Sequence, residues 1–316
     1  MFKVSYNRAV LRFRLQTVTP LAIRAGETGL DPSAADLVCV RTHHVQHGLT
    51  VYIPGSSLKG VLRSTAEASL RAFEFPVAGG VFQGACNPTD HETSCRRHES
   101  KVTADVHRKN CLACRLFGSL SMRGRCAVRD LLPFPDGVEL GAGDRENLER
   151  ANRVEIRHGI AIDRISGAVK GAALFEQEVV PAGVRFHGEI VLQNYQAWQL
   201  GLVFSALDDL DRGFAQLGSS KSSGLGVVEV KPLSMVHEQA MGRDARPRGV
   251  GELVDDATGR AHGLLPERSL PPASAVTRGL SQRFEIAASE VARWRSVGQE
   301  ALSTLKGIAR EVRDGA

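Results

Sequence analysis

From Val10 to Thr19 the stretch VLRFRLQTVT alternates apolar and polar positions, as a half-buried strand does, with Val10 or Leu11, Phe13, Leu15 and Thr17 as candidates for its inner face. A glycine-bearing loop, RAGETGLDPSAAD, then leads to a short hairpin with LVCVR and LTVYI as its arms and His43, His44 and His47 in its turn. In YIPGSSLKGVLRS, Pro54 and Gly55 stop the second arm, Ser56 or Ser57 is placed to cap a helix, and Leu58, Val61, Leu62 and Ala66 follow at helical spacing. That helix is expected to reach about Phe75. Beyond it, residues 78–110 lose hydrophobic periodicity and fill with Cys, His, Thr, Asp and Arg, which reads as an insertion.

Period-two patterning returns in RCAVRDLLP, and a polar, acidic stretch then runs to Arg153. Two β-like arms in RVEIRHGIAIDRISGAVKGAALFEQEVVP flank Ser166–Gly171 and predict a long hairpin. VRFHGEIVLQN alternates cleanly, QAWQLGLVFSALDDLDRGFAQLG puts Trp198, Leu202, Leu207, Leu210 and Phe214 near one helical face, and GLGVVEVKP makes a last strand. Strand, helix, strand, strand, helix, strand is the order of an α+β, ferredoxin-like or RRM-like palm (βαββαβ). The expected domain is residues 1–236, interrupted by a metal-binding insertion at 78–114 and a hairpin at 153–181. Residues 237–274 have linker composition, and a C-terminal helix is expected over 275–316.

With 316 residues and 42% apolar composition, the chain has enough material for a substantial core. Its net charge of +5 and pI near 9.0 only lean towards an anionic partner. No run of eighteen apolar residues exists and the first residues carry charges throughout, so a cytoplasmic protein with no membrane partner is expected. In a reducing compartment the six cysteines are thiols or metal ligands rather than a disulfide framework.

Three places carry candidate chemistry. A helix beginning at Ser56 or Ser57 offers unpaired N–H groups to an anion, with Lys59 and Arg63 in its first two turns to pair with it. The loop GSSKSSGLG, residues 218–226, follows a helix and precedes a strand, the reverse of a nucleotide-binding P-loop. Its Gly218, Ser219, Ser220, Lys221 and Ser222 suit close approach to a phosphodiester backbone. Within the insertion, Cys111 and Cys114 have the CxxC spacing that lets two thiolates reach one tetrahedral ion, with Cys86 and Cys95 upstream. Zinc is the expected ion, held by four cysteines or by three with His91, His98 or His107. Coordination would supply the core that so polar a segment lacks. Cys39 and Cys126 lie in strand patterns and read as small core residues.

Four stretches, IPGSSLKGVLR, CRLFGS followed by GRCAVRD, IDRISGAVKGAALFEQEVVPAG and LGSSKSSGLGVVEV, together resemble the RAMP superfamily of CRISPR-associated proteins. Within it the likeness is to the repeated backbone subunit of type III effector complexes, which coats the guide RNA and cuts the target. The resemblance covers roughly residues 8–232. It implies that Ser56, Ser57, Lys59, Arg63 and the glycine-rich loop grip the guide backbone, and that Arg115 lies beside the guide. It also implies that Asp163, Arg164 and their neighbours form a thumb that wedges between bases.

Cleaving members carry an aspartate before the hairpin that leads to IPGSS; Asp36 holds that position here, with Asp31 a nearby competitor. The resemblance thus implies an endoribonuclease that uses a divalent metal such as magnesium and works with further copies of itself and other effector subunits. The alternative is a non-catalytic guide-binding scaffold that relies on a separate nuclease subunit. The stretch LAIRAG, in place of a histidine-glycine run, departs from the family pattern.

Overall fold

A computed structural model of the protein describes residues 3–24, 35–77, 80–90, 94, 95, 100, 102–163, 165, 169–240 and 245–313. Strand β1 (Asn7–Thr17) is followed by a small hairpin, β2 (Arg41–His44) with β3 (Gly48–Val51), and by helix α1 (Gly55–Arg71). A second hairpin, β4 (Glu74–Val77) with β5 (Gly80–Gln83), leads to the short helices α2 (Thr103–Lys109) and α3 (Leu112–Phe117). Three short strands come next, β6 (Gly118–Ser119), β7 (Met122–Arg123) and β8 (Cys126–Val128), then α4 (Ala142–Asn152). The long hairpin β9 (Glu155–Ile162) with β10 (Val169–Val179), strand β11 (Arg185–Gln193), helix α5 (Ala197–Asp211) and strand β12 (Val228–Ala240) follow. The remainder is α6 (Val250–Leu253), α7 (Asp256–His262), β13 (Ala275–Arg278), β14 (Ser281–Ala287) and α8 (Ala288–Arg313).

The central sheet runs β13-β14-β12-β1-β11-β8, antiparallel throughout. In β1 the alternation has the expected consequence: Ala9, Leu11, Phe13 and Leu15 are buried, whereas Arg8, Val10 and Arg12 take the other face. Helix α1 buries Leu58, Leu62 and Ala66, as its helical spacing predicts, together with Leu70, while Val61 is only partly buried. Each buried leucine stabilises the fold by about 1.5–3 kcal/mol relative to exposure. Helix α5 is covered on nearly every side, because α1 and α8 both pack on it above the sheet.

The C-terminal segment departs from expectation. Residues 275–287 form a hairpin rather than the start of a helix, since Gln282, Phe284 and Ile286 are buried at period two and β14 pairs with β12 from Ser281 to Ala287. The helix begins only at Ala288 and sends Val291, Trp294, Ala301 and Leu305 into the same core as α1 and α5. Where α5 and α8 cross, a Cβ on Gly201 would stand 2.0 Å from the carbonyl oxygen of Gly298, so the two backbones touch. The first linker residues, 237–240, belong to β12, with His237, Glu238 and Gln239 buried. Phe214 lies past the end of α5 and is 81% exposed rather than on its buried face.

A polar chain crosses this core. The Tyr195 hydroxyl lies 2.7 Å from His237 Nδ1, and His237 Nε2 lies 3.1 Å from Gln239 Oε1. Gln239 Nε2 donates to Arg246 O and Gln282 Oε1, which assigns Oε1 as the acceptor of a His237 Nε2–H and leaves Nδ1 to accept from tyrosine. Burial holds the His237 pKa down to about 4.

Candidate nucleic-acid interface and metal centre

Helix α1 starts where the proline turn predicts, but neither serine caps it. Pro54 is the capping position without a side-chain bond, and the first helical N–H, that of Gly55, donates to Asp130 Oδ1 at 2.7 Å. Glycine is required there because an added Cβ would lie 2.2 Å from Val128 O, the strand on which the helix end rests. Ser56 is exposed, and Ser57 and Lys59 are partly exposed in the first turn.

The glycine-rich loop is fastened from the other side. Ser219 N–H donates to Ala22 O, Gly226 N–H to Pro20 O, and Leu217 N–H to Gly226 O, each at 2.9–3.0 Å. Gly218 has φ +83°, and Ser220, at φ +55°, is a left-handed residue that is not glycine. These ties leave Lys221, Ser222, Ser223 and Gly224 exposed at the tip. Lys221 shares a cleft of about 450 Å³ with Val61, Ser64 and Thr65 of α1. The helix and the loop, 150 residues apart in sequence, thus form two walls of one groove.

Asp36 is exposed and its Oδ2 accepts from Glu176 N–H in β10 at 2.8 Å. Leu37 pairs with Gln177, and Glu178 N–H donates to Leu37 O at 2.8 Å. Gln177 Oε1 in turn lies 3.1 Å from Arg24 Nη2 and 3.2 Å from Ser220 Oγ. The loop aspartate, the root of the long hairpin and the glycine-rich loop therefore meet at one place. At that hairpin's tip Ile165 is 99% exposed and Asp163 Oδ1 accepts its N–H at 2.8 Å, while Ile156 and Ile160 are about half exposed along β9. Arg164 and Asp31 lie outside the described residues.

The Sγ atoms of Cys86, Cys95, Cys111 and Cys114 all lie within 4.8 Å of one another. Cys86 and Cys114 are 3.8 Å apart, about the sulfur separation that tetrahedral bonds of about 2.3 Å impose around zinc. Backbone donors already point at the sulfurs: Cys111 N–H to Cys95 at 3.2 Å and Cys114 N–H to Cys111 at 3.4 Å. Hydrogen bonds among the thiols hold Cys86 and Cys111 down and push Cys95 and Cys114 up, so protons are shared within a group that a divalent cation would relieve of them. The donor set fits a metal ion such as zinc.

Residues 14–229 match the family described as the RAMP superfamily. The chain belongs to the RAMP superfamily. It is also 31% identical over 203 residues to a protein named CRISPR system Cms endoribonuclease Csm3 from Methanothermobacter thermautotrophicus strain Delta H, an overlap covering 58% of this chain and 69% of that relative.

In this RAMP superfamily member two cations assigned to the guide turn inwards. Arg115 is 1% exposed, and its guanidinium donates to the carbonyls of Asn110, Gly263 and Arg108 at 2.6–2.9 Å, so it ties α2, α3 and the end of α7 together. Burial lowers its pKa only to about 10, so it stays charged. Arg63 donates to Glu67 Oε1 at 2.7 Å and to Gly118 O at 3.1 Å, and reaches Cys114 Sγ at 3.7 Å. It faces the cysteine group.

His107 is buried with Nδ1 2.7 Å from His262 O and is not among the clustered ligand atoms, while His91 and His98 lie outside the described residues. His44 and His47 stack at 5.0 Å, both edge-on to Phe134, which makes them part of an aromatic cluster. Burial and Glu178 push the Cys39 thiol up to about 11, as its core placement requires. Arg24, Asp130 and Gln177 carry no signal in the sequence: each lies in an unremarkable local pattern and acquires its partner only through the fold. Among the described residues no helix is long and apolar enough to cross a membrane.

Proposed function

We propose that this chain is a CRISPR guide-RNA-binding backbone subunit of a type III-like effector complex, assembling along the guide with further copies of itself and other effector subunits. In this reading it also cleaves guide-paired target RNA and works in the cytoplasm. The strand order β12-β1-β11-β8, connected as βαββαβ, supports an RRM-like palm. The groove between α1 and the Lys221 loop supports backbone contact, through the hydroxyls of Ser64, Thr65 and Ser69 and the Lys221 cation, which read no base. The hairpin β9-β10, with Ile165 bare at its tip, supports a thumb that displaces bases. Zinc held by Cys86, Cys95, Cys111 and Cys114 is the structural metal of the insertion.

The single observation that carries cleavage is the tie of Asp36 to Glu176 at the thumb root, which holds a carboxylate beside the place where a nucleotide would be splayed. Cleavage needs no external nucleophile: the 2′-oxygen of the splayed nucleotide attacks the adjacent phosphorus, the bond to the 5′-oxygen breaks, and a 2′,3′-cyclic phosphate and a 5′-hydroxyl result. Asp36 would take the 2′-hydroxyl proton or fix the ribose for in-line attack. A lone exposed carboxylate also fits the habit of magnesium, which takes one or two protein carboxylates together with phosphate oxygens and waters.

The assembled complex, given end-labelled target RNA and magnesium, should cut at regular intervals and leave cyclic phosphate ends. A complex that binds target but leaves it whole decides for the non-catalytic scaffold.

A further inference from the structure

We propose that the face of the central sheet turned away from α1, α5 and α8 is a second site for the phosphodiester backbone of single-stranded RNA, distinct from the groove at Lys221. It rests on its own geometry and goes beyond the guide contacts proposed above.

A trough of about 290 Å³ on this face is rimmed by Arg8, Arg12, Arg129, Arg278 and Arg283. Its floor is valine, at Val10, Val191 and Val236. The register explains the convergence: Arg12 lies opposite Glu189 in β11, Arg8 opposite Glu238 in β12, and Glu238 opposite Arg283 in β14, all on one face. Glu238, 5% exposed, pairs with Arg8 and with Arg283 at 2.8 Å and has Arg278 at 3.9 Å. Glu189 pairs with Arg12 at 2.7 Å and with Arg129 at 2.5 Å.

Three carboxylates, Glu189, Glu238 and Glu285, the last 3.1 Å from Arg283 Nε, therefore hold five guanidinium groups, leaving an excess of two positive charges. Arg8, Arg12, Arg129 and Arg278 remain 54–70% exposed. From the β8 side to β13 the cationic track crosses the width of the sheet, about 24 Å at the usual strand spacing.

The occupant follows from chemistry. Every rim cation is arginine, whose planar fork matches phosphate, and the shared carboxylates pre-order the forks before binding. Among the described residues no aromatic side chain lines the trough, so base stacking is not the contact. A protein partner would need large apolar anchors. Here the apolar floor is three recessed valines, and β12, β1, β11 and β14 have neighbours on both sides and offer no edge to an added strand.

The test uses the full-length chain. Arginines are modified with a dicarbonyl reagent and mapped by mass spectrometry, alone, with oligouridylate, and with polyglutamate at matched charge. Oligouridylate should slow modification of Arg129 and Arg278, and polyglutamate should not. The double variant Arg129→Gln with Arg278→Gln should reduce the slope of log affinity against log salt for oligouridylate by about 1.4, at about 0.7 per lost phosphate contact.

Oligouridylate binding that leaves both arginines unprotected overturns the second site and leaves the guide groove standing. Protection by polyglutamate alone assigns the face to an acidic protein and overturns it as well. Failure of the wild-type chain to bind oligouridylate at all counts against both. Because the footprint is read on wild-type protein, a misfolded variant does not block the result.

Discussion

Arg63 Nη2 lies 3.7 Å from Cys114 Sγ, so a cation from the middle of α1 touches the cysteine group of the insertion. The same guanidinium pairs with Glu67, which also holds Arg71, and Arg71 donates to Cys86 O at 3.3 Å. Four thiolates around a divalent ion carry net negative charge, and a half-buried arginine offsets it. Arg63→Ala should therefore weaken metal binding about ten- to a hundredfold. Competition with a chromogenic chelator measures this, and the cobalt-loaded protein should show an altered charge-transfer band. Lys59→Ala, one turn earlier, should change neither.

Purified protein should hold about one equivalent of zinc. Cys111→Ser should lower that content and loosen α2, α3 and the β6-β7 turn, read as faster amide exchange over residues 102–125, because Cys111 also caps α3 by accepting from Cys114 N–H. Metal-free wild-type protein with unchanged exchange would remove zinc from the account.

Asp36→Asn should slow target cleavage by about a hundredfold to ten-thousandfold while leaving guide and target affinity nearly intact. The amide keeps an oxygen for Glu176 N–H, so the loop should stay in place. If Asp31→Asn carries the loss instead, the loop is right and the residue is not.

Lys221→Ala in the groove and Lys59→Ala in the first turn of α1, outside it, should weaken guide binding alike for all sequences, each lowering the salt slope by about 0.7. Effects confined to one guide sequence would contradict a backbone-reading groove.

A buried histidine and a partly buried glutamate give opposite pH slopes. His237, held down to about 4 in the fold, binds fewer protons than in the unfolded chain between about pH 4 and 6.5, so its contribution, about 3 kcal/mol at most, is present above pH 6.5 and lost as pH falls towards 4. Glu267 is pushed up to about 7 by burial, although it accepts from Ala197 N–H and Gly251 N–H. Its protonated form is favoured in the fold, so stability is lost as pH rises from about 4.5 through 7. Denaturation midpoints against pH should show His237→Gln flattening the acid side and Glu267→Gln flattening the neutral side.

The regular strands and helices were legible because burial imposes a period that survives in sequence: Leu11, Phe13 and Leu15 in β1, Leu58 and Leu62 in α1. The cysteine group was legible too, because ligand type and CxxC spacing are chemical. What could not be read was direction. Arg63 and Arg115 look like surface cations until the fold turns them towards sulfur and carbonyl. The hairpin at 275–287 was hidden because its first strand is four residues long and exposed, with no apolar alternation to read, and pairing with β12 selects the extended form of the second.

The backbone contact between Gly201 and Gly298 makes the last helix a structural member of the palm, although the stretch matched to the family stops at residue 229. Helix α5 ends at Asp211, and the chain from there to Lys221 hangs the glycine-rich loop from it. A side chain at either glycine would pry α8 from α5 and tilt the element that carries the loop. A fragment trimmed to the family-matched stretch would keep only residues 14–17 of β1 and 228–229 of β12 and lose Trp294 from the core, leaving a raw sheet edge that invites aggregation. The tail of this protein works as a keystone.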